Sequence, residues 1–388
     1  MHFLALAFAF LLTHAPRAYA GGLGLGAQSG GEAELDGLKV MGGVRLRVPI
    51  PTKADVDVFA SSSYSQTASP GAPLLVYLHG FCLPDVEQQM YSVTARRADA
   101  GGGRIPREQT LSQFNDWSLE VAERGPFLYA TPTAPHHTRK CALCNIGMDS
   151  PNVGDMLTVR FINSTLDRVA PAWSCPAWDG SDACCNPEFA GDSDDVEYVL
   201  DLIDAIKLRY NVDHDRVYLF GVATGGFMAN RIACQAPDVF AAVATFAGSV
   251  WKDSSRCAPP KGTATNVLNI HGEADLTVPI TGGTNFAGVS FPGQDETVDT
   301  LASKFNCAPA ISSPRGTLVL PVGDGSAQRE VDAKVATFGD CTGNVEVEQW
   351  TLPGVDHFME TPTSYAVFDA ALEWLMSKNR RNGQSPAA

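Results

Sequence analysis

Residues 217 to 226, with the sequence VYLFGVATGG, constrain the fold more than any other part of the chain. The segment begins as a hydrophobic strand, passes through a tight turn flanked by Gly221 and Gly225, and leads into a helical pattern over residues 227 to 236. Both glycines are needed because the turn is strained and bulky side chains would clash across it. This is the layout of a nucleophile elbow, G-x-S-x-G, whose central residue faces the substrate. The central residue here is Ala223.

Short apolar runs alternate with helical patterns over most of the chain. One amphipathic helix is predicted by apolar residues at three- and four-residue spacing from Val196 to Tyr210, with Asp194 and Asp195 at its start. A last helix is predicted over about 364 to 377. The alternation predicts an α/β protein, with a mostly parallel sheet, helices on both faces and no separate second domain. The strand candidates are residues 74–78, 127–131, 216–220, 240–246, 266–270 and 345–351.

Candidate catalytic and oxyanion-hole residues follow several of these strands. His79-Gly80-Phe81 follows the first candidate, Asp275 follows the fifth, and His357 follows the last. The nucleophile position, an acid and a histidine therefore occur in the chain order of an α/β-hydrolase triad. Each lies just past the carboxyl end of a strand, where open α/β sheets bind their ligands. The sequence predicts an α/β-hydrolase fold.

Several motifs resemble the secreted poly(3-hydroxybutyrate) depolymerase and feruloyl-esterase-like group of hydrolases, and the resemblance covers roughly residues 70 to 378. It is specific as a set, although each motif alone is weak. The matching pieces are CC at 184–185, DDV at 194–196, RYNVD at 209–213, RVYLFG at 216–221, GGFMA at 225–229, PDVFAAVATFAG at 237–248, HGEADLTVPI at 271–280, FPGQDETV at 291–298 and Cys307.

The resemblance implies a role for each residue at the matching positions. Asp275 would be the triad acid and His357 the general base, and the backbone N–H groups of Thr224 and Phe81 would form the oxyanion hole. No cofactor and no metal are implied. The other two strand-end histidines, His79 and His271, are interpreted as structural residues that hold loops by hydrogen bonds.

The missing serine leaves two hypotheses. The first is a binding or decoy protein that retains a pocket for an ester, phenolic or polyester ligand, because the methyl group of Ala223 cannot attack a carbonyl. The second is an active carboxylic ester hydrolase with a non-standard nucleophile, either Thr224 or a water activated by His357. Thr224 lies one residue beyond the apex of the turn. A natural loss, an engineered replacement and a sequence error are all compatible with the chain.

The N-terminus predicts secretion. Residues 3 to 12 form an apolar run too short to span a bilayer, and Ala18-Tyr19-Ala20 follows as a cleavage signal, so residues 1–20 are predicted as a signal peptide. Asn163 begins a glycosylation acceptor.

The net charge of −15 argues against nucleic acid or an anionic membrane as partner. The hydrolase domain is predicted over 34–378, with a flexible tail over 379–388.

Ten cysteines in an exported chain favour disulfides. Cys307 with Cys341 is the first predicted pair, because it would tie off residues 308–340, and Cys234 with Cys257 is the second. Residues 308–340 are one predicted insertion, and the Cys- and Trp-rich residues 132–192 are another, cap-like one. Its Trp173 and Trp178 are interpreted as core residues rather than ligand-stacking ones. A zinc site is the less favoured interpretation of His136, His137, Cys141 and Cys144.

Overall fold

The computed structural model describes residues 38–40, 43–48, 56–61, 63–80, 126–134, 178–184, 194–285, 288–313, 317–322, 327–357, 359 and 361–380. All of them lie within one compact unit, Asp36–Ala388. Several predicted features lie outside the described residues. They are the signal peptide, the glycosylation acceptor at Asn163, the oxyanion-hole donor Phe81 and the four zinc candidates.

The core of the fold is a sheet in which six neighbouring strands run parallel, in the order β5-β4-β6-β7-β8-β15. Antiparallel strands extend it at both edges, giving the full described order β1-β2-β3-β5-β4-β6-β7-β8-β15-β14-β11. The strands are β1 Leu38–Val40, β2 Gly43–Val48, β3 Val56–Ser61, β4 Ala72–Leu78, β5 Leu128–Ala130, β6 Val212–Val222, β7 Ala242–Phe246, β8 Asn266–Gly272, β9 Gly282–Thr284, β10 Ser290–Pro292, β11 Ile311–Ser313, β12 Thr317–Val322, β13 Ala327–Asp332, β14 Lys334–Phe338 and β15 Val347–Leu352.

The order of the eight strands from β2 to β15 identifies the fold. Numbered along the chain, these eight strands are arranged 1-2-4-3-5-6-7-8, and the second runs antiparallel to the others. The crossover of β4 and β5 places β4 beside β6, so the strand that leads into the Ala223 turn lies near the middle of the sheet. This topology is that of an α/β-hydrolase, which confirms the predicted fold class.

Helices cover both faces of the sheet, as predicted. The described helices are α1 Asp195–Arg209, α2 Thr224–Gln235, α3 Gln294–Lys304 and α4 Thr361–Met376. Side chains alternate along β4, so that Leu74 joins a core cluster with residues of α1, α2 and α3, whereas Leu75 joins a second cluster with residues of α4. The sheet is therefore buried on both sides.

Helix α1 begins where the sequence predicts. The side chain of Asp194 caps it by accepting a hydrogen bond from the Val196 backbone N–H at 3.0 Å. Asp195 in the first turn and Arg209 in the last complement the helix dipole. Helices α2 and α4 each begin three residues earlier than predicted, because the turn at Ala223 enters α2 directly and the pattern of α4 extends back to Thr361.

Both predicted disulfides are confirmed, Cys307–Cys341 and Cys234–Cys257. The segment that Cys307–Cys341 closes contains regular strands: β14 and β11 extend the main sheet, and β12 and β13 form a hairpin. Cys184, at the end of the predicted cap, is disulfide-bonded as well. Within the described ranges, every helix is too short or too polar to span a bilayer.

Candidate active site

Ala223 occupies the apex of a strained turn between β6 and α2. Its backbone angles are φ 52° and ψ −115°, a region that costs an L-residue on the order of 1–3 kcal/mol. Two backbone hydrogen bonds hold it there: its N–H donates to the Phe246 carbonyl at 2.9 Å, and its carbonyl accepts from the Phe227 N–H at 3.0 Å. The geometry of a nucleophile elbow is thus retained around a residue without a nucleophile.

The two glycines that flank the apex are required by close backbone approach. A Cβ atom on Gly221 would overlap the backbone of Gly225, and one on Gly225 would overlap the Leu78 carbonyl at the end of β4. The sequence-based explanation of both glycines is confirmed. The contact with Leu78 also fixes the distance of α2 from the loop that follows β4.

Asp275 and His357 meet at the carboxyl end of the sheet. They follow β8 and β15, which are parallel neighbours, and their loops are joined by a 2.9 Å hydrogen bond from the Ala274 N–H to the Val355 carbonyl. The Nδ1 atom of His357 lies 2.8 Å from Oδ2 of Asp275. The other carboxylate oxygen, Oδ1, accepts from the backbone N–H groups of Thr277 at 2.9 Å and Val278 at 2.8 Å.

The environment of Asp275 keeps it ionised. Burial alone would raise the pKa of its carboxyl group, but hydrogen bonds from His271 and His357 outweigh that effect and hold the pKa well below its ordinary value of 3.8. An ionised carboxylate only accepts hydrogen bonds, so Nδ1 of His357 is the donor. A neutral His357 therefore carries its lone pair on Nε2, the atom that acts as base in a triad.

Thr224 is the first residue of α2, where backbone N–H groups point out of the helix. Its hydroxyl is buried and lies 3.5 Å from the carbonyl oxygen of His79, on the side of β4. This position fits a backbone role for Thr224 and not a side-chain nucleophile. The second predicted donor, Phe81, lies outside the described residues.

The two other strand-end histidines hold loops, as interpreted from the sequence. His79 Nε2 accepts from the Ala134 N–H at 2.9 Å, and its Nδ1 lies 2.6 Å from the Gly80 carbonyl. It thereby links the loop after β4 to the segment after β5. His271 Nε2 lies 2.8 Å from the Val278 carbonyl and closes the loop that carries Asp275.

The candidates from the cap-like segment are only partly described. Trp178 is fully buried, stacks on Tyr198 with ring centroids 6.3 Å apart and lies 5.4 Å from the His79 ring, so it is a core residue. Trp173 lies outside the described residues. Among the side chains that the structure describes, no cluster of three or more His, Cys, Asp or Glu has the geometry of a metal site.

Two features of the site were missed by sequence reasoning. One is the hairpin of β9 and β10, which follows the Asp275 loop and packs Phe291 edge-on against Phe227 of α2 at 6.1 Å. Three-residue strands give no periodic pattern that sequence analysis can use. The other is the proximity of His271 to Asp275. Their separation of four residues in the sequence was the one feature that could have indicated this contact.

Comparison with known proteins relates this site to esterases. The family model "Esterase PHB depolymerase" matches residues 170–276, which include Ala223 and Asp275. Feruloyl esterase B of Piromyces equi is 31% identical over 134 residues, covering 34% of this chain and 23% of that protein. The putative esterase NocK of Nocardia uniformis subsp. tsuyamanensis is 33% identical over 117 residues, covering 30% and 32%. The chain thus spans a third or less of each of these relatives.

Among solved structures, the acetyl xylan esterase from Aspergillus awamori aligns with a TM-score of 0.46 at 14% identity, covering 86% of this chain and 99% of that one. By its own strand order and site, the protein is an α/β-hydrolase in fold. The sequence matches support, more narrowly, an esterase-family hydrolase.

Proposed function

We propose that this chain is a secreted, esterase-like protein that binds ester, phenolic or polyester ligands and does not perform serine-dependent hydrolysis. The observation that carries the proposal is Ala223, which sits at the strained apex of an otherwise complete nucleophile elbow. Acyl transfer begins with attack by the hydroxyl oxygen at this position, after the histidine removes its proton.

The size of the expected defect favours binding over catalysis. Loss of the nucleophilic serine costs about a million-fold in turnover in subtilisin, a protease with the same triad logic. The residual activity comes from the oxyanion hole and from substrate binding, and neither depends on the serine hydroxyl group. A chain with Ala223 is therefore expected to retain ligand affinity while its hydrolysis falls to near background.

The ligand class rests on the sequence matches. The depolymerase family model matches the chain around Ala223 and Asp275, where ligand would sit, and a feruloyl esterase is 31% identical over 134 residues. An acyl group with an aromatic or short hydroxyalkanoate chain is the corresponding ligand. The net charge of −15 disfavours nucleic acid and anionic membranes as partners.

Secretion is part of the same proposal. The two described disulfides fit an oxidising compartment, and the apolar run before Ala18-Tyr19-Ala20 supplies an export signal. Residues 1–20 would then be removed, 34–378 would form one hydrolase domain with its cap over 132–192, and 379–388 would be a flexible tail. N-terminal sequencing of exported protein should begin at Gly21, and a mass increase at Asn163 would mark glycosylation.

A fluorophosphonate probe tests the proposal on the unmodified chain. Such probes react with activated serine hydroxyl groups, so no labelling is expected, while methyl ferulate or 3-hydroxybutyrate oligomers should bind measurably in calorimetry. Covalent labelling at one defined residue would reject the binding hypothesis. Absence of both labelling and binding would reject the hypothesis that a ligand pocket is retained.

The intact pairing of Asp275 with His357 favours one alternative, an active hydrolase in which His357 activates water directly. General-base catalysis of that kind contributes typically 10²- to 10⁴-fold and needs no covalent intermediate. Thr224 is disfavoured as the nucleophile, because its hydroxyl is buried against the His79 carbonyl. Hydrolysis of methyl ferulate that His357→Ala abolishes, without probe labelling, would identify this water-dependent route.

A further inference from the structure

Two imidazole rings approach the same oxygen atom of Asp275. His357 Nδ1 lies 2.8 Å from Oδ2, and His271 Nε2 lies 3.4 Å from that atom. The side chains of His271 and Asp275 are 2% and 0% exposed, so water does not compete for this contact. The resemblance to esterases implies a role for His357, whereas His271 was interpreted from its strand-end position only as a loop-holding residue.

The hydrogen-bond partners of His271 place a proton on its Nε2 atom. Nε2 faces the Val278 carbonyl at 2.8 Å and the ionised Asp275, which are both acceptors, so Nε2 carries the proton. Nδ1 is buried, with no hydrogen-bond partner among the described residues. The N–H on Nε2 is thus shared between the carbonyl and the carboxylate.

We infer that His271 is a positioning residue for Asp275, in addition to closing its loop. Backbone N–H groups of Thr277 and Val278 fix one carboxylate oxygen, and the two imidazoles both approach the other. A carboxylate held by donors at both oxygens cannot rotate away from His357. The inference concerns the same site as the proposed function, but it depends only on the pairing of Asp275 with His357.

This arrangement accounts for a site that stays ordered without its serine. In a complete triad, the acid orients the histidine and stabilises its positive charge. Groups that hold the acid in place act one step removed, and the loss of analogous supporting groups in metal sites costs roughly 10- to 100-fold. His271 lies at the end of β8, in register with Thr351 of β15, so the rigid sheet fixes its position.

The test uses the unmodified chain and the Nδ1–H proton of His357, which should give a downfield proton NMR signal through its bond to Asp275. The signal is assigned by its loss in His357→Gln. It should persist in His271→Gln, whose amide reaches the positions of Nε2, and should move upfield or broaden in His271→Leu and His271→Asn, which cannot donate there.

The matched control is His79→Leu, which removes another buried, loop-holding histidine, whose Nε2 accepts from the Ala134 N–H. It should lower the melting temperature and leave the His357 signal unchanged. An unchanged His357 signal in folded His271→Leu or His271→Asn would overturn the inference. The same shift or broadening of that signal in His79→Leu would overturn it as well. Because no turnover or ligand is involved, this outcome is separate from any failure of the proposed function. In an Ala223→Ser background, His271→Leu should lower kcat about 10- to 100-fold and change KM little.

Discussion

His357 donates a 2.8 Å hydrogen bond to Asp275 in a chain whose nucleophile elbow carries alanine at its apex. The pair lies on loops from adjacent parallel strands and is fixed by backbone hydrogen bonds on both sides. The described supports of this arrangement come from β8, β15 and their loops. The pairing of acid and base can therefore be tested separately from the residue at position 223.

The backbone strain at Ala223 predicts that Ala223→Gly stabilises the fold. Glycine adopts positive φ without the steric cost that a Cβ incurs, so the free energy of unfolding should rise by about 1 kcal/mol. Ala205→Gly in the middle of α1 is the matched control and should lower it by about 0.5–1 kcal/mol. Urea unfolding of both variants measures the difference. Destabilisation by Ala223→Gly would contradict the strain assigned to the apex.

The close approach of Gly225 to Leu78 predicts that Gly225→Ala disrupts the elbow. The new methyl group would overlap the Leu78 carbonyl, and backbone cannot move aside cheaply, so a loss of about 3 kcal/mol or more is expected. At Gly339 a Cβ would meet nothing within 4 Å and φ is not positive, so Gly339→Ala should change stability little. Equal effects of the two substitutions in thermal unfolding would argue against this packing.

The lowered pKa of Asp275 predicts a loss of stability in acid. Because its pKa is lower in the folded than in the unfolded state, the carboxylate contributes stability that is complete above the ordinary value of 3.8 and is lost as pH falls toward the folded value. The unfolding free energy of the unmodified chain minus that of Asp275→Asn should therefore be constant above about pH 5 and shrink below about pH 4. A difference that is independent of pH would contradict the charge assigned to Asp275.

The Cys307–Cys341 disulfide closes a loop with a sequence separation of 34 residues. In the chain-entropy model such a crosslink stabilises by about 3 to 4 kcal/mol, so replacing both cysteines with serine should lower the unfolding free energy by that amount. Because β11 and β14 belong to the main sheet, the loss should appear as one cooperative transition. A separate early transition of residues 308–340 would instead indicate an independent insertion.

Much of the central sheet could be predicted from the sequence because its six parallel strands are buried on both faces. Burial on both sides gives continuous apolar runs, such as residues 74–78, which are recognisable without tertiary information. The antiparallel strands β1 to β3, β11 and β14 and the separate hairpin of β12 and β13 were not predicted. They lie outside the parallel centre of the sheet, so their pairing depends on the strands they join.

The candidate site was predictable to the extent that chain order determines it. Asp275 and His357 follow neighbouring strands, and strand order alone places their loops together. The contact between His271 and Asp275 was not predicted, because it depends on how the turn after β8 folds back. Trp178 was interpreted correctly as a core residue, but its packing against Tyr198 was not predicted, because it depends on where the cap segment meets α1.

The replacement Ala223→Ser tests most directly whether one missing hydroxyl blocks hydrolysis at this site. Both chains would be assayed on short nitrophenyl esters and methyl ferulate, with Ala223→Ser plus His357→Ala as the control. The unmodified chain should remain near background, and Ala223→Ser should raise kcat/KM by at least about a hundred-fold, below the million-fold ceiling because an unused pocket need not keep its alignment within 1 Å. The control should abolish the gain. Turnover of tens per second by the unmodified chain, or no gain in a folded Ala223→Ser variant, would contradict the account.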